Sequence, residues 1–133
     1  LKDAVSYWSP LCGLVMQLRC WARVAWREDV ATQEGWWGTL PIMPVESYLE
    51  GCEGPTPVRD VEWVEVSTNR VKGGLRGLPL EMVNVKDEIL AGLVGTQLCW
   101  ELRETTWSMD RIFQDEPVQV LHFMNPFGPI PRT

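Results

Sequence analysis

The stretch Gln33-Glu34-Gly35-Trp36-Trp37-Gly38-Thr39-Leu40-Pro41 holds two adjacent tryptophans between glycines, and it constrains the fold more than any other segment of the chain. Two indoles carry a large apolar area and two N–H donors. Flanking glycines allow backbone conformations that a side chain forbids. Neighbours on an extended segment point to opposite faces, so one of Trp36 and Trp37 is expected to plug a core while the other lies on a surface or in a groove. The general preference of tryptophan for buried sites leaves a second reading open, in which both rings are structural.

What surrounds that pair is the material of one ordinary domain. A chain of 133 residues can bury enough apolar surface to stand without metal or staples. Its 45% hydrophobic and 23% charged residues are globular values that argue against wholesale disorder. No apolar run reaches the length of a membrane span, and Leu1-Lys2-Asp3-Ala4-Val5 lacks a signal-peptide pattern. With no starting methionine, the chain reads as an excised domain or processed product. The net charge of −6 argues against a general nucleic-acid binder, which needs excess Lys and Arg to displace counterions. Cys12, Cys20, Cys52 and Cys99 are scattered, with no C-x-x-C and only His122 to complete a zinc site, so no metal or cofactor is expected. Four reduced thiols in an intracellular protein are preferred over two disulfides in a secreted one, and no N-x-S/T sequon supports export.

Along the chain, Ser9-Pro10 is expected to stop a short opening element. From Leu14 to Arg27 the even positions are all apolar and the charges fall on odd ones, a strand pattern. Leu11, Leu14, Val15, Leu18, Ala22, Ala25 and Trp26 also fit helical spacing. Strand is preferred because Gly13 sits badly in a helix, and Arg19, Arg23 and Arg27 then share a solvated face. Glu28-Asp29 begins a turn, and a short strand over 35–40 is closed by Pro41 and Pro44. A helical turn over 45–50 and a loop at Gly54-Pro55-Thr56-Pro57 follow. Residues 58–67 read as a β-branched and aromatic strand. A glycine-rich hairpin over 69–77, a strand over 78–85, a main helix over 86–95 and a strand from Thr96 come next. Residues 118–123 form a last strand, and 124–133 an extended proline-rich tail. The expected architecture is α+β: one globular domain over 1–123, an antiparallel sheet of about five or six strands on one main helix.

Chemistry is sparse in this sequence. A Ser-His or Cys-His hydrolase would have to use His122, and no G-x-S-x-G elbow is present. His122, between Leu121 and Phe123, reads as a satisfied core or edge residue, and no catalytic set is expected. Arg70, Lys72 and Arg76 among three glycines offer a candidate anion cradle, against the plainer reading of solvated cations on a hairpin. Pro41-Ile42-Met43-Pro44 has the P-x-x-P form that presents a polyproline ridge to a partner, against the plainer reading of a turn.

Short resemblances accompany these readings. Trp36-Trp37-Gly38 with Pro44 and Tyr48 resembles the W-W…P-x-x-Y signature of SH3 domains, with a shorter gap to the proline and the tyrosine one residue late. Gly35-Trp36 is loosely similar to the G-x-W opening of lipocalin-type barrels. Glu34 to Gly38 resembles an E-G-W-W-G segment near the start of foamy-virus Gag proteins, a five-residue hint of viral origin. Asn125-Pro126-Phe127 resembles the N-P-F tripeptide that EH-domain partners recognise, and the competing reading folds Phe127 back as a hydrophobic clasp over an edge strand. The expected function is a non-enzymatic protein-binding domain, such as a viral accessory or inhibitory protein, with Trp36, Trp37, Pro41, Pro44 and Phe127 as contacts. The alternative is a carrier of a small apolar ligand in a tryptophan-lined cavity.

Overall fold

The computed structural model describes residues 2–29, 31–38, 48–51, 54–73, 76–79, 81–109 and 113–128. Helix α1 runs over Lys2–Leu18 and buries Ala4, Tyr7, Trp8, Leu11, Cys12 and Val15, an i, i+3, i+4 stripe along one face. Two expectations are corrected here. Pro10 does not stop the opening element: it lies on the exposed side of α1, where water can solvate the carbonyl that loses its amide partner. Residues 14–27 are not one strand either. The helix ends at Arg19, whose φ of 56° is left-handed, and the Cys20 N–H donates to the Val15 carbonyl at 3.1 Å in the manner of a Schellman cap.

Strand β1 then spans Ala22–Glu28, and its neighbour β2 spans Ala31–Glu34 across a turn at Asp29. Gly35 to Trp37 are not a strand, in contrast to the expectation for 35–40; Gly38 forms a single bridge to Ala22. Two further corrections concern β3 (Tyr48–Gly51) and β4 (Gly54–Pro57), which pair as a small hairpin where a helical turn and a loop were expected. A 3-10 turn over Val58–Asp60 leads into β5 (Val61–Ser67). The hairpin β6 (Asn69–Lys72) and β7 (Glu81–Asn84) precedes α2 (Lys86–Leu93), whose first turn carries Asp87 and Glu88 near its positive end. This is the helix expected over 86–95, but α1 is twice as long and is the main one. Strands β8 (Glu101–Met109) and β9 (Phe113–Met124) complete the order.

The fold is α+β: a curled antiparallel sheet in the order β2-β1-β5-β9-β8, with both helices on one face. Val24, Val61, Val64, Val66, Leu121 and Phe123 line that face and meet α1 and α2 in one core. The helices approach closely because Gly92 has no side chain: a Cβ there would collide with the end of Leu14. Beyond β9, Asn125 is buried, and its amide donates to the carbonyls of Val58 and Val61, both at 2.7 Å.

Candidate functional site

The face of the sheet turned away from the helices carries the polar residues. Register sets Arg23 of β1 opposite Glu65 of β5, Glu65 opposite His122 of β9, and His122 opposite Glu101 of β8, so four strands contribute one row. Strand geometry alone requires this, because directly paired residues project on the same side. Arg23 donates through Nε and Nη2 to Glu65 Oε1 at 2.9 and 2.7 Å, and His122 Nδ1 lies 2.9 Å from Glu65 Oε2. Arg23 Nη1 also reaches Glu34 at 3.3 Å.

A second pair belongs to this face through a backbone irregularity. Between Ala25↔Trp63 and Trp26↔Val61 the register shifts, leaving Glu62 as an extra residue on β5. The bulge turns the Glu62 side chain out of the helix-facing core and onto the polar side. There it accepts from Arg27 Nε at 3.0 Å and from Thr32 Oγ1 at 2.6 Å. The side chains of Glu62 and Glu65 are only 3% and 7% exposed, which is tolerable for carboxylates only because both are paired. Arg23 and Arg27 are therefore not the solvated cations expected. Arg19 leaves their face altogether, since it forms the helix cap.

Burial pushes the Glu65 pKa up, but the hydrogen bonds of His122 and Arg23 together with the Arg23 charge outweigh it, so the carboxyl titrates below its usual range. His122 is 2% exposed, and its ring lies 4.9 Å from Trp63. The Arg23 guanidinium stands 4.9 Å from the Trp37 ring and 5.3 Å from that of Trp63, within cation–π range of both.

The tryptophan pair divides across this geometry. Trp37 is half-buried and packs edge-on against Trp107 at 5.8 Å, and Trp21 meets Trp107 at the same distance from another side. Trp107 lies on β8 and Trp37 beyond β2, at opposite ends of the strand order, so the curl of the sheet is what brings them together. Trp36 points the other way and is 74% exposed. Its segment is held to β1 by Gly35 N–H to Val24 O at 2.8 Å, Gly38 N–H to Ala22 O at 3.0 Å and Ala22 N–H to Gly38 O at 2.7 Å.

Other expected contact residues lie elsewhere. Pro41 and Pro44 fall outside the described residues. Phe127 is half-buried, 5.6 Å from Tyr7 and edge-on to it, and its N–H donates to Asn125 Oδ1 at 3.1 Å. It packs beside α1 and shields no sheet edge, because β9 is an inner strand. Lys72 pairs with Glu81 at 3.5 Å, Arg76 is exposed on the turn beyond it, and Arg70 sits near buried Cys20, so the three cations do not converge on one point. Cys12, Cys20 and Cys99 are free thiols. Burial pushes the Cys12 thiol up to about 12 and that of Cys20 up to about 11.

Sequence reasoning missed Glu62 and Glu65. Their signal was present as acidic residues within the strand pattern of 58–67, opposed by arginines within that of 14–27. Among the described residues no group of three or more His, Cys, Asp or Glu side chains is placed to hold a metal ion, and no helix is long and apolar enough to cross a membrane. Comparison with known protein families, curated proteins and solved structures finds no match.

Proposed function

We propose that this chain is a protein-binding domain whose contact surface is built around Trp36. The observation that supports this reading is an indole three-quarters exposed on a segment whose two glycines are hydrogen-bonded to β1. Exposure alone is ordinary for a small apolar residue, but tryptophan is enriched among the residues that dominate interfaces. A backbone fixed at both ends of the pair loses little freedom when a partner closes over the ring. Trp37, clamped between Arg23 and Trp107, acts as the anchor that holds the loop in place.

Affinity capture from lysate with wild type, Trp36→Ala and Trp100→Ala tests this. Trp36→Ala is expected to change stability by less than about 0.5 kcal/mol, as surface substitutions do, while losing a partner that Trp100→Ala retains. Retention of the same partners by folded Trp36→Ala overturns the reading. The carrier of a small apolar ligand is the weaker alternative, because Trp21, Trp37 and Trp107 already fill the curl of the sheet with their own rings. Fatty-acid titration that leaves tryptophan emission unchanged removes it.

A further inference from the structure

Strand β8 is an edge of the sheet: among the described residues only β9 pairs with it. Which of its backbone groups stay free follows from hydrogen bonds on the other side of β9. Thr68 N–H donates to the Gln119 carbonyl and Asn125 N–H to the Glu62 carbonyl, both at 3.0 Å, so the odd positions from 119 to 125 turn their backbone groups toward β5. Successive residues of an antiparallel strand bond to alternate sides. Val118, Val120 and His122 therefore face β8 and bond their register partners Thr105, Arg103 and Glu101. The N–H and C=O groups of Leu102 and Glu104 are left pointing outward, within a run from Cys99 to Glu104 in which every residue is exposed.

An open edge is a template for another strand, and charge decides which strand it accepts. Two copies of β8 meeting antiparallel about a two-fold axis must set outward residues against outward residues, so each possible register is centred on a single residue. Centring on Glu101, Arg103 or Glu104 puts that charge directly opposite its own copy, which is destabilising. Centring on Leu102 does the reverse. Glu101 of each copy then faces Arg103 of the other on one side of the sheet, and the two Leu102 side chains meet on the opposite side. We propose that β8 is a homodimer contact, with two copies of this chain joined edge to edge about Leu102.

Charged residues on an edge usually keep copies apart, and a row of one sign would do so in every register. The mixed signs of β8 forbid the like-charge registers and favour one. Arg103 already pairs with Glu101 of its own strand, so the contact gathers four charges into one network rather than adding an isolated surface pair. The Leu102 residues exchange both backbone bonds, and Glu104 of each copy continues the ladder to Trp100 of the other. Leu102 and Trp100, 42% and 39% exposed in the single chain, supply the apolar area. The result is one continuous sheet with five strands from each copy. It makes no use of Trp36 and is independent of the binding surface proposed above.

The test is sedimentation velocity over a concentration series, in reductant so that the exposed Cys99 thiol cannot cross-link copies. Wild type is expected to show a reversible monomer–dimer equilibrium. Glu101→Arg sets like charges against each other in the dimer, and so does Arg103→Glu, so each is expected to raise the dissociation constant by about tenfold or more. Mixing the two variants restores opposite charges at both pairs, and association is expected to return as a heterodimer at physiological salt. Leu102→Pro removes an amide that already faces solvent and keeps an apolar side chain, so it should abolish the dimer while the melting temperature holds. Wild type that stays monomeric at every concentration overturns the proposal and leaves the edge to a strand of some other chain. A dimer that survives Leu102→Pro overturns it as well, as do single variants whose mixture stays monomeric. Trp36→Ala is expected to keep the dimer, and its loss there would move the contact to the Trp36 surface instead.

Discussion

Glu65→Gln removes one negative charge from the centre of the polar row and keeps the shape of the side chain. Wild-type Glu65 accepts two bonds from Arg23 and one from His122, and its side chain is almost completely covered. Removing one partner of a buried ion pair typically costs about 3–5 kcal/mol. Here Arg23 keeps Glu34 at 3.3 Å and the amide oxygen still accepts, so a loss of about 2–3 kcal/mol is expected at pH 7. The pH dependence carries the sharper content. The folded pKa of Glu65 lies below its reference value of 4.5, so the stability it contributes is fully present above pH 4.5 and disappears as pH falls through the folded value. Urea unfolding of wild type and variant at a series of pH values from 7 to 3 measures both effects. The difference between the two proteins should be constant down to about pH 5 and then shrink. A difference that stays constant to pH 3, or a cost under about 0.5 kcal/mol at pH 7, is within the range of an ordinary surface change and would refute the account of Glu65 as the hub of the row.

Other substitutions follow from single observations. Gly13 lies exposed inside α1 with nothing within 4 Å of where a Cβ would stand, so Gly13→Ala should stabilise by about 1 kcal/mol, read by thermal melting. Gly128→Ala should destabilise by about 1–3 kcal/mol, because its Cβ would press on the Val61 carbonyl and the Asn125 amide; an unchanged denaturant midpoint would show that the turn is not docked there. Phe127→Ala should lower stability by about 1–3 kcal/mol through lost packing on Tyr7 and the core, and unchanged melting would remove the clasp.

How far the sequence announced this arrangement depends on the element. The strand over 61–67 was legible within the expected 58–67 and the second half of β9 within the expected 118–123, both from β-branched and aromatic residues, and α2 from its acidic first turn; the first half of β9 was not. The N-terminal helix was not, for two physical reasons. Pro10 and Gly13 are poor helix residues, yet both sit on the solvent side, where the stripe of buried residues from Ala4 to Val15 overrides them. Leu14, Met16 and Leu18 also happen to continue the even parity of Ala22 and Val24, so a helix and a strand joined by three residues imitate one longer strand. The candidate sites were obscured for another reason. Glu65 and His122 are 57 positions apart, and only strand register makes them neighbours. Glu62 reaches the polar face through a bulge that no alternation pattern announces.

The place of β9 inside the sheet bears on how the chain comes to fold during synthesis. Strand β5 is complete at Ser67, but its second neighbour is made only when residues 113–124 emerge. Until then β5 presents a row of unpaired amides and carbonyls, and Glu65 stands beside Arg23 without its histidine. Long-range pairing of this kind slows folding, and an open strand edge is a template for association. Nascent chains that stall before residue 113 should therefore be the aggregation-prone species, and they should need chaperone cover that the finished domain does not.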